Sequence, residues 1–231
     1  MLRALVPVCL MPLGVAMASG SLPLQRQPMT ELGQATQDNP VQAIEQAHAL
    51  LAAAPDVERR FWILLGLARA QTLLERTADA AATLAQAREL VAFWPQATAG
   101  HRLWLELVAL ESTWFGLPLA ESRRLMDGLL RARRGVDDAA LSCEVQELDM
   151  TVLGHAGSFD EAWLAAEQVE RCAHELGVAG IQADALLAMG LIAARGGARS
   201  QTETDVHFQR ALDALGSEPA RLGRSVILWQ R

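Results

Sequence analysis

The feature that most restricts what this chain can fold into is a spacing that returns along it. Ala43, Ala47 and Leu50 stand four and then three residues apart, with Pro55 five further on. The same four-then-three spacing recurs as Ala80, Leu84 and Ala87, as Ala162, Ala166 and Val169, and as Thr204, Phe208 and Ala211. Residues so spaced line one side of an α-helix, whereas a strand places alternate residues on one face. From Pro40 onward the apolar residues keep to this helical period. Short breakers divide them: 54 to 56, 75 to 77, Pro95, 116 to 118, Gly135, 154 to 158, 177 to 180, Gly196-Gly197 and 216 to 219. The segments between them run about fifteen to twenty residues, ordinary helix lengths. The expectation is an all-α chain, and the recurrence predicts a stack of about four antiparallel helix hairpins, an α-solenoid.

Composition agrees and closes off other classes. The chain has 231 residues, is 51% hydrophobic and carries a net charge of -7. It has no lysine and no tyrosine, so all twenty basic residues are arginines. This is too apolar for a disordered tail, too poor in β-branched and aromatic residues for a sandwich or barrel, and too acidic for an electrostatically driven nucleic-acid binder.

The first twenty residues form a separate unit. Arg3 precedes an uncharged apolar stretch from 4 to 18, which ends in the small-x-small triplet Ala16-Met17-Ala18. That anatomy predicts a cleaved secretory signal over residues 1 to 18 and export to an extracytoplasmic space, with a periplasm as the expected compartment. Fifteen uncharged residues interrupted by Pro7 and Pro12 fall short of the roughly twenty that span a bilayer. Charged residues interrupt every later apolar run, so no stable membrane span is expected in the mature chain. Residues 19 to 39, with Pro23 and Pro28, read as an extended lead-in containing one short helix near 30 to 37. Residues 40 to 231 read as the helical-repeat domain.

The residues around the recurring stripes resemble a known family. Trp62, Leu65 and Gly66 precede the stripe that begins at Ala80, and Leu186, Met189 and Gly190 precede the one that begins at Thr204. Ahead of Ala162 lies a glycine turn, Gly157, followed by Ser158, placed to cap a helix, and Glu161 three residues on. A large residue then Leu-Gly on a first helix, a glycine turn, and a spaced stripe on a second helix resemble the tetratricopeptide repeat. The resemblance covers about residues 40 to 215. It is closest at 62 to 87 and 157 to 169, and loose around Gly116, where Ser122, Met126 and Leu129 carry it. Corresponding residues recur about every forty, against 34 in the standard repeat.

The resemblance implies a concave groove lined by the first helix of each pair. Its register places Arg60, Ile63 and Leu67 on that face in the first pair, Glu106, Leu110 and Thr113 in the second, Glu144, Glu147 and Thr151 in the third, and Asp184, Leu187 and Leu191 in the fourth. Such a groove is apolar with an acidic middle. Repeats that clamp a peptide carboxylate use Lys, Arg and Asn there; only Arg60 qualifies, and the one asparagine, Asn39, lies elsewhere. The implied partner is a protein or peptide with apolar and basic segments.

With Cys9 in the leader, the mature chain keeps Cys143 and Cys172. Taking Gly157 as the bend of the third hairpin, they lie about 21 to 23 Å from it on opposite helices and so face each other. In an oxidising compartment the pair is a disulfide candidate, and a disulfide and two buried thiols satisfy this placement equally well.

Catalytic and metal motifs are missing. No two of His48, His101, His155, His174 and His207 stand three or four apart, and no HExxH, CxxC, Gly-x-Ser-x-Gly or phosphate-binding Gly-Lys-Ser/Thr occurs. No cofactor is implied, and a non-catalytic interaction module is expected. Arg123, Arg124, Arg131, Arg133 and Arg134 form a basic run that either meets a helix C-terminus before Gly135 or binds an acidic partner. Residues 218 to 231 read as the first helix of a further pair with 226 to 229 apolar and uncovered, so the array is expected to continue. A leader followed by such repeats also resembles the sensor region of membrane signalling proteins of the diguanylate cyclase type. That is the alternative reading, with the GGDEF domain absent from this sequence.

Overall fold

In a computed structural model of the chain, residues 39–53, 56–196 and 201–215 are described. The expected leader and lead-in (1 to 38), residues 54 and 55, residues 197 to 200 and the expected further helix from 216 onward lie outside them. The described residues form nine α-helices and no strand: α1 Pro40–Ala53, α2 Val57–Leu73, α3 Thr77–Ala92, α4 Ala99–Thr113, α5 Leu119–Arg133, α6 Ala139–His155, α7 Phe159–Leu176, α8 Ala179–Gly196 and α9 Gln201–Leu215. A 3-10 turn, Trp114–Gly116, separates α4 from α5.

Local chemistry sets the ends. Asp56, Thr98 and Asp138 accept hydrogen bonds from the backbone N–H three residues on, which satisfies donors that a helix N-terminus leaves open. Ser158, expected to cap α7, makes no such bond. Its ψ of 62° is far from the extended backbone that brings a capping hydroxyl over the first turn. Gly157 and Gly177 take left-handed backbone, φ 73° and 68°, which ends α6 and α7 at little cost.

Each helix packs on the next in sequence, and short connections make these neighbours antiparallel. A second layer of packing runs α2 to α4, α4 to α6 and α6 to α8. Among the described residues no comparable packing joins α3 to α5, α5 to α7 or α7 to α9. The even-numbered helices therefore form one continuous row and the odd-numbered helices lie outside it, the arrangement of a helical repeat array.

The four-then-three stripes are the inward faces. Ala80, Leu84 and Ala87, then Ala162, Ala166 and Val169, are buried, as are Thr204 and Ala211, and so are Ser122, Met126 and Leu129 of the loosely matching hairpin. Trp62, Trp104 and Phe61 anchor a core that runs from α2 to α6, and a second core joins α6 to α9. Burying each such aromatic contributes about 1.5–3 kcal/mol.

Gly190 on α8 is a close-approach position. A Cβ there would lie 2.4 Å from the Phe208 ring of α9. Gly190→Ala is expected to lower unfolding free energy by about 1–3 kcal/mol, the cost of overpacking, in spite of alanine's better helix propensity. Urea unfolding of the variant checks this, and restored stability in Gly190→Ala with Phe208→Leu identifies the ring as the cause.

Candidate interaction site

The two faces of α4 do different work. One face looks toward α2 and α6. There Arg69 of α2 donates from Nε and Nη2 to both carboxylate oxygens of Glu111, each at 2.7 Å, and from Nη2 to Glu144 of α6. The three side chains keep only 19%, 23% and 18% of their exposure. Burial works against the guanidinium's charge, but the two carboxylates outweigh it, so the Arg69 pKa is raised and the group is cationic wherever the chain is folded. The guanidinium also lies 5.7 Å from the Trp104 ring centre, within reach of a cation–π attraction. Trp104 Nε1 donates to Asp138, whose other carboxylate oxygen caps α6. Thr72 of α2 donates to Ser112 of α4 at 2.8 Å. This polar layer ties three successive even-numbered helices together.

On its other face α4 is the floor of a cleft. Glu106 and Glu111 are five residues apart, which turns them about 140° from each other around the helix. The cleft has a volume of about 440 Å³ and is walled by α3 and α5. Leu103, Leu110 and Ala109 lie on its floor, Leu84 and Ala81 on the α3 wall, and Leu125, Gly128, Leu129 and Ala132 on the α5 wall. Thr77, Arg88, Glu106, Ser112 and Thr113 supply its polar atoms. It exists because α3 and α5 do not close over α4.

The structure divides the residues that the repeat register grouped on one groove. Ile63 and Leu67 are 0% and 3% exposed, packed with Ala43, Ile44 and Ala47 of α1, so they belong to a core and not to an open face. Arg60 is exposed near the start of α2. Glu106, Leu110 and Thr113 line the cleft together. Glu144 joins Arg69 instead, and Glu147 and Thr151 follow it on α6, with Thr151 donating to the Glu147 carbonyl. Leu187 is buried and Leu191 packs against the same core, while Asp184 is partly exposed on α8. The register slips because the spacing is uneven: Arg69 to Glu111 is 42 residues and Glu111 to Glu144 is 33. Carried along a uniform repeat, equivalent positions drift around the helix.

Cys143 and Cys172 form a disulfide that joins α6 to α7, Cα atoms 5.8 Å apart. Beside that hairpin, Asp149 of α6 has its pKa raised above the ordinary 3.8, chiefly by burial, with Arg123 opposing and Asp127 and Glu161 reinforcing the rise. A raised folded-state value means the ionised form is the disfavoured one. Its stabilising share is present below the unfolded value and lost as pH rises through the folded value. Asp149→Asn is therefore expected to raise Tm by about 1–2 °C at pH 7 and to differ little from the parent at pH 3, the effect being limited by solvent screening.

Arg69, Glu111, Leu125, Gly128 and Ala132 were not singled out by sequence reasoning. The signal for the first two was present, since Arg69 and Glu111 stand about one repeat apart; partners so distant along the chain do not announce themselves. Among the described residues no group of three or more His, Cys, Asp or Glu is placed to hold a metal, and no helix is long and apolar enough to cross a membrane. Compared with protein-family profiles, curated proteins and solved structures, the chain matches none of them.

Proposed function

We propose that this chain is an exported, non-catalytic interaction module, a tetratricopeptide-like array that holds a segment of another protein. The observation that carries the reading is the cleft on α3, α4 and α5, where Ala81, Arg88, Glu106, Thr113 and Ala132 are exposed around leucines that belong to the core. The polar layer around Arg69 is internally paired, so Glu144 is committed to holding the array together. That moves the binding place from the row of even-numbered helices to the cleft. Export is supported by the signal-like sequence of residues 1 to 18 and by the Cys143–Cys172 disulfide, a bond that persists in oxidising compartments.

Gly128 provides the test. It lies inside α5, and a Cβ added there meets nothing within 4 Å. Gly128→Ala is expected to stabilise the chain by about 0.5–1 kcal/mol in urea unfolding, because it removes the entropy cost of a helical glycine. Gly128→Leu sends its side chain into the cleft and is expected to abolish recovery of a protein captured by the wild-type chain from envelope extracts, with far-UV circular dichroism unchanged. Undiminished capture by Gly128→Leu contradicts the assignment.

A further inference from the structure

We infer that α5 is a lid, which unpacks from α4 and α6 while the rest of the array stays folded and so uncovers the leucines that line the cleft. This deepens the proposed reading of the cleft by giving those leucines a route to a partner; the opening itself needs no partner. Of α2 to α8, the helices with a neighbour on each side in the described array, α5 buries the fewest side chains. Only Ser122, Met126 and Leu129 are buried over its fifteen residues. α3 and α7, which share its outer row, bury five and six. The packing of α5 on α4 and on α6 is the thinnest of any two consecutive helices.

Both sides of the helix show why. Toward α4 lies the cleft, lined on this wall by Leu125, Gly128, Leu129 and Ala132, and a gap there forfeits the contacts that a closed helix pair makes. Toward α6 the facing groups are charged. Arg123 and Asp127 of α5 act on the partly buried Asp149 carboxylate, and Arg123 Nη1 is buried with no hydrogen-bond partner among the described residues. Such groups regain water when the helices part, which offsets some of the cost of opening. Hydrogen bonds to neighbouring elements hold only the two ends: Ser122 Oγ donates to the Trp114 carbonyl at 2.9 Å, and Arg133 Nη1 to the Ser142 carbonyl at 3.2 Å. Arg123 also reaches Glu161 of α7 at 3.7 Å, an ion pair exposed enough to contribute little. Few buried side chains and fastening at the ends alone characterise a segment that opens more readily than the whole fold. What opening uncovers is apolar. Leu103 and Leu110 of α4, 6% and 5% exposed, share the cleft lining and one core cluster with Leu129.

Amide hydrogen exchange of the full chain, read by mass spectrometry, tests the lid. Amides of α5 are expected to exchange at least about tenfold faster than those of α3 and α7, and with a weaker dependence on urea, since a local opening exposes less surface than global unfolding. Equal rates in the three outer helices overturn the inference. Gly128→Ala should slow α5 about three- to fivefold, and an unchanged rate would show that its exchange does not pass through opening of the helix. Arg69→Met supplies the sharper comparison, because Arg69 binds α2, α4 and α6 together on the face of α4 away from the cleft. It should quicken exchange in α2 and α4 about a hundredfold and leave α5 unchanged, provided α5 opens while those helices stay folded. An α5 that quickens in step with α2 and α4 belongs to one cooperative unit and overturns the inference; where Arg69→Met does not fold, the urea dependence of the wild-type chain decides the same point. The lid and the binding place fail separately. An α5 that opens in a chain whose capture of a partner survives Gly128→Leu upholds the lid and overturns the cleft as the binding place.

Discussion

Arg69→Met is expected to lower the unfolding free energy by about 3 kcal/mol at neutral pH. The substitution keeps the length and much of the packing of the side chain but leaves Glu111 and Glu144 together, largely buried and without the guanidinium that donates to both. Removing one partner of a buried ionic cluster typically costs about 3–5 kcal/mol, and the residual exposure of these groups puts the effect toward the low end. Adding Glu111→Gln and Glu144→Gln should recover much of the loss, since the triple variant buries no uncompensated charge. Urea unfolding of the three proteins reads this directly. A single-variant loss below about 0.5 kcal/mol would show that the carboxylates are solvated and that Arg69 does not hold the three helices together.

The second large effect belongs to the disulfide. Cys143 and Cys172 are separated by 29 residues, and closing a loop of that length removes unfolded-state entropy equivalent to about 3–4 kcal/mol. Reduction, or the Cys143→Ala, Cys172→Ala pair, should lower the urea midpoint accordingly while leaving the helical content under native conditions unchanged. The staple also fixes α6, which carries Glu144 next to Cys143. Combining the Cys pair with Arg69→Met should therefore cost a different amount from the sum of the separate losses. Strict additivity would separate the staple from the polar layer.

The helices themselves were readable because apolar spacing is a local property. Ala80, Leu84 and Ala87 lie within eight residues of one another, and a stripe that close together specifies both the helix and its buried side. Faces were harder to read. Ile63 and Leu67 are apolar at positions that a repeat register leaves open, and only the arrival of α1 makes them core. The capping box of α4 escaped notice because its third residue is His101, not Glu or Gln. The cleft escaped for a related reason. It lies in the hairpin that matched the repeat pattern least well, where the 3-10 turn at Trp114–Gly116 joins α4 to α5, and a gap between helices leaves no residue pattern of its own. Gly128 was the available clue: a glycine in a helix interior without a turn, a close neighbour or a positive φ to require it.

Whether partners enter that cleft is tested most directly by site-specific photo-cross-linking in cells that produce the full chain. A photoreactive residue is placed in turn at Ala81 and Ala132, on opposite walls, and at Leu164, exposed on α7 away from the cleft. The account predicts that the two wall positions yield the same protein adduct, that Leu164 does not, and that adding Gly128→Leu removes the adduct. No adduct from either wall, or an equal one from Leu164, would contradict it.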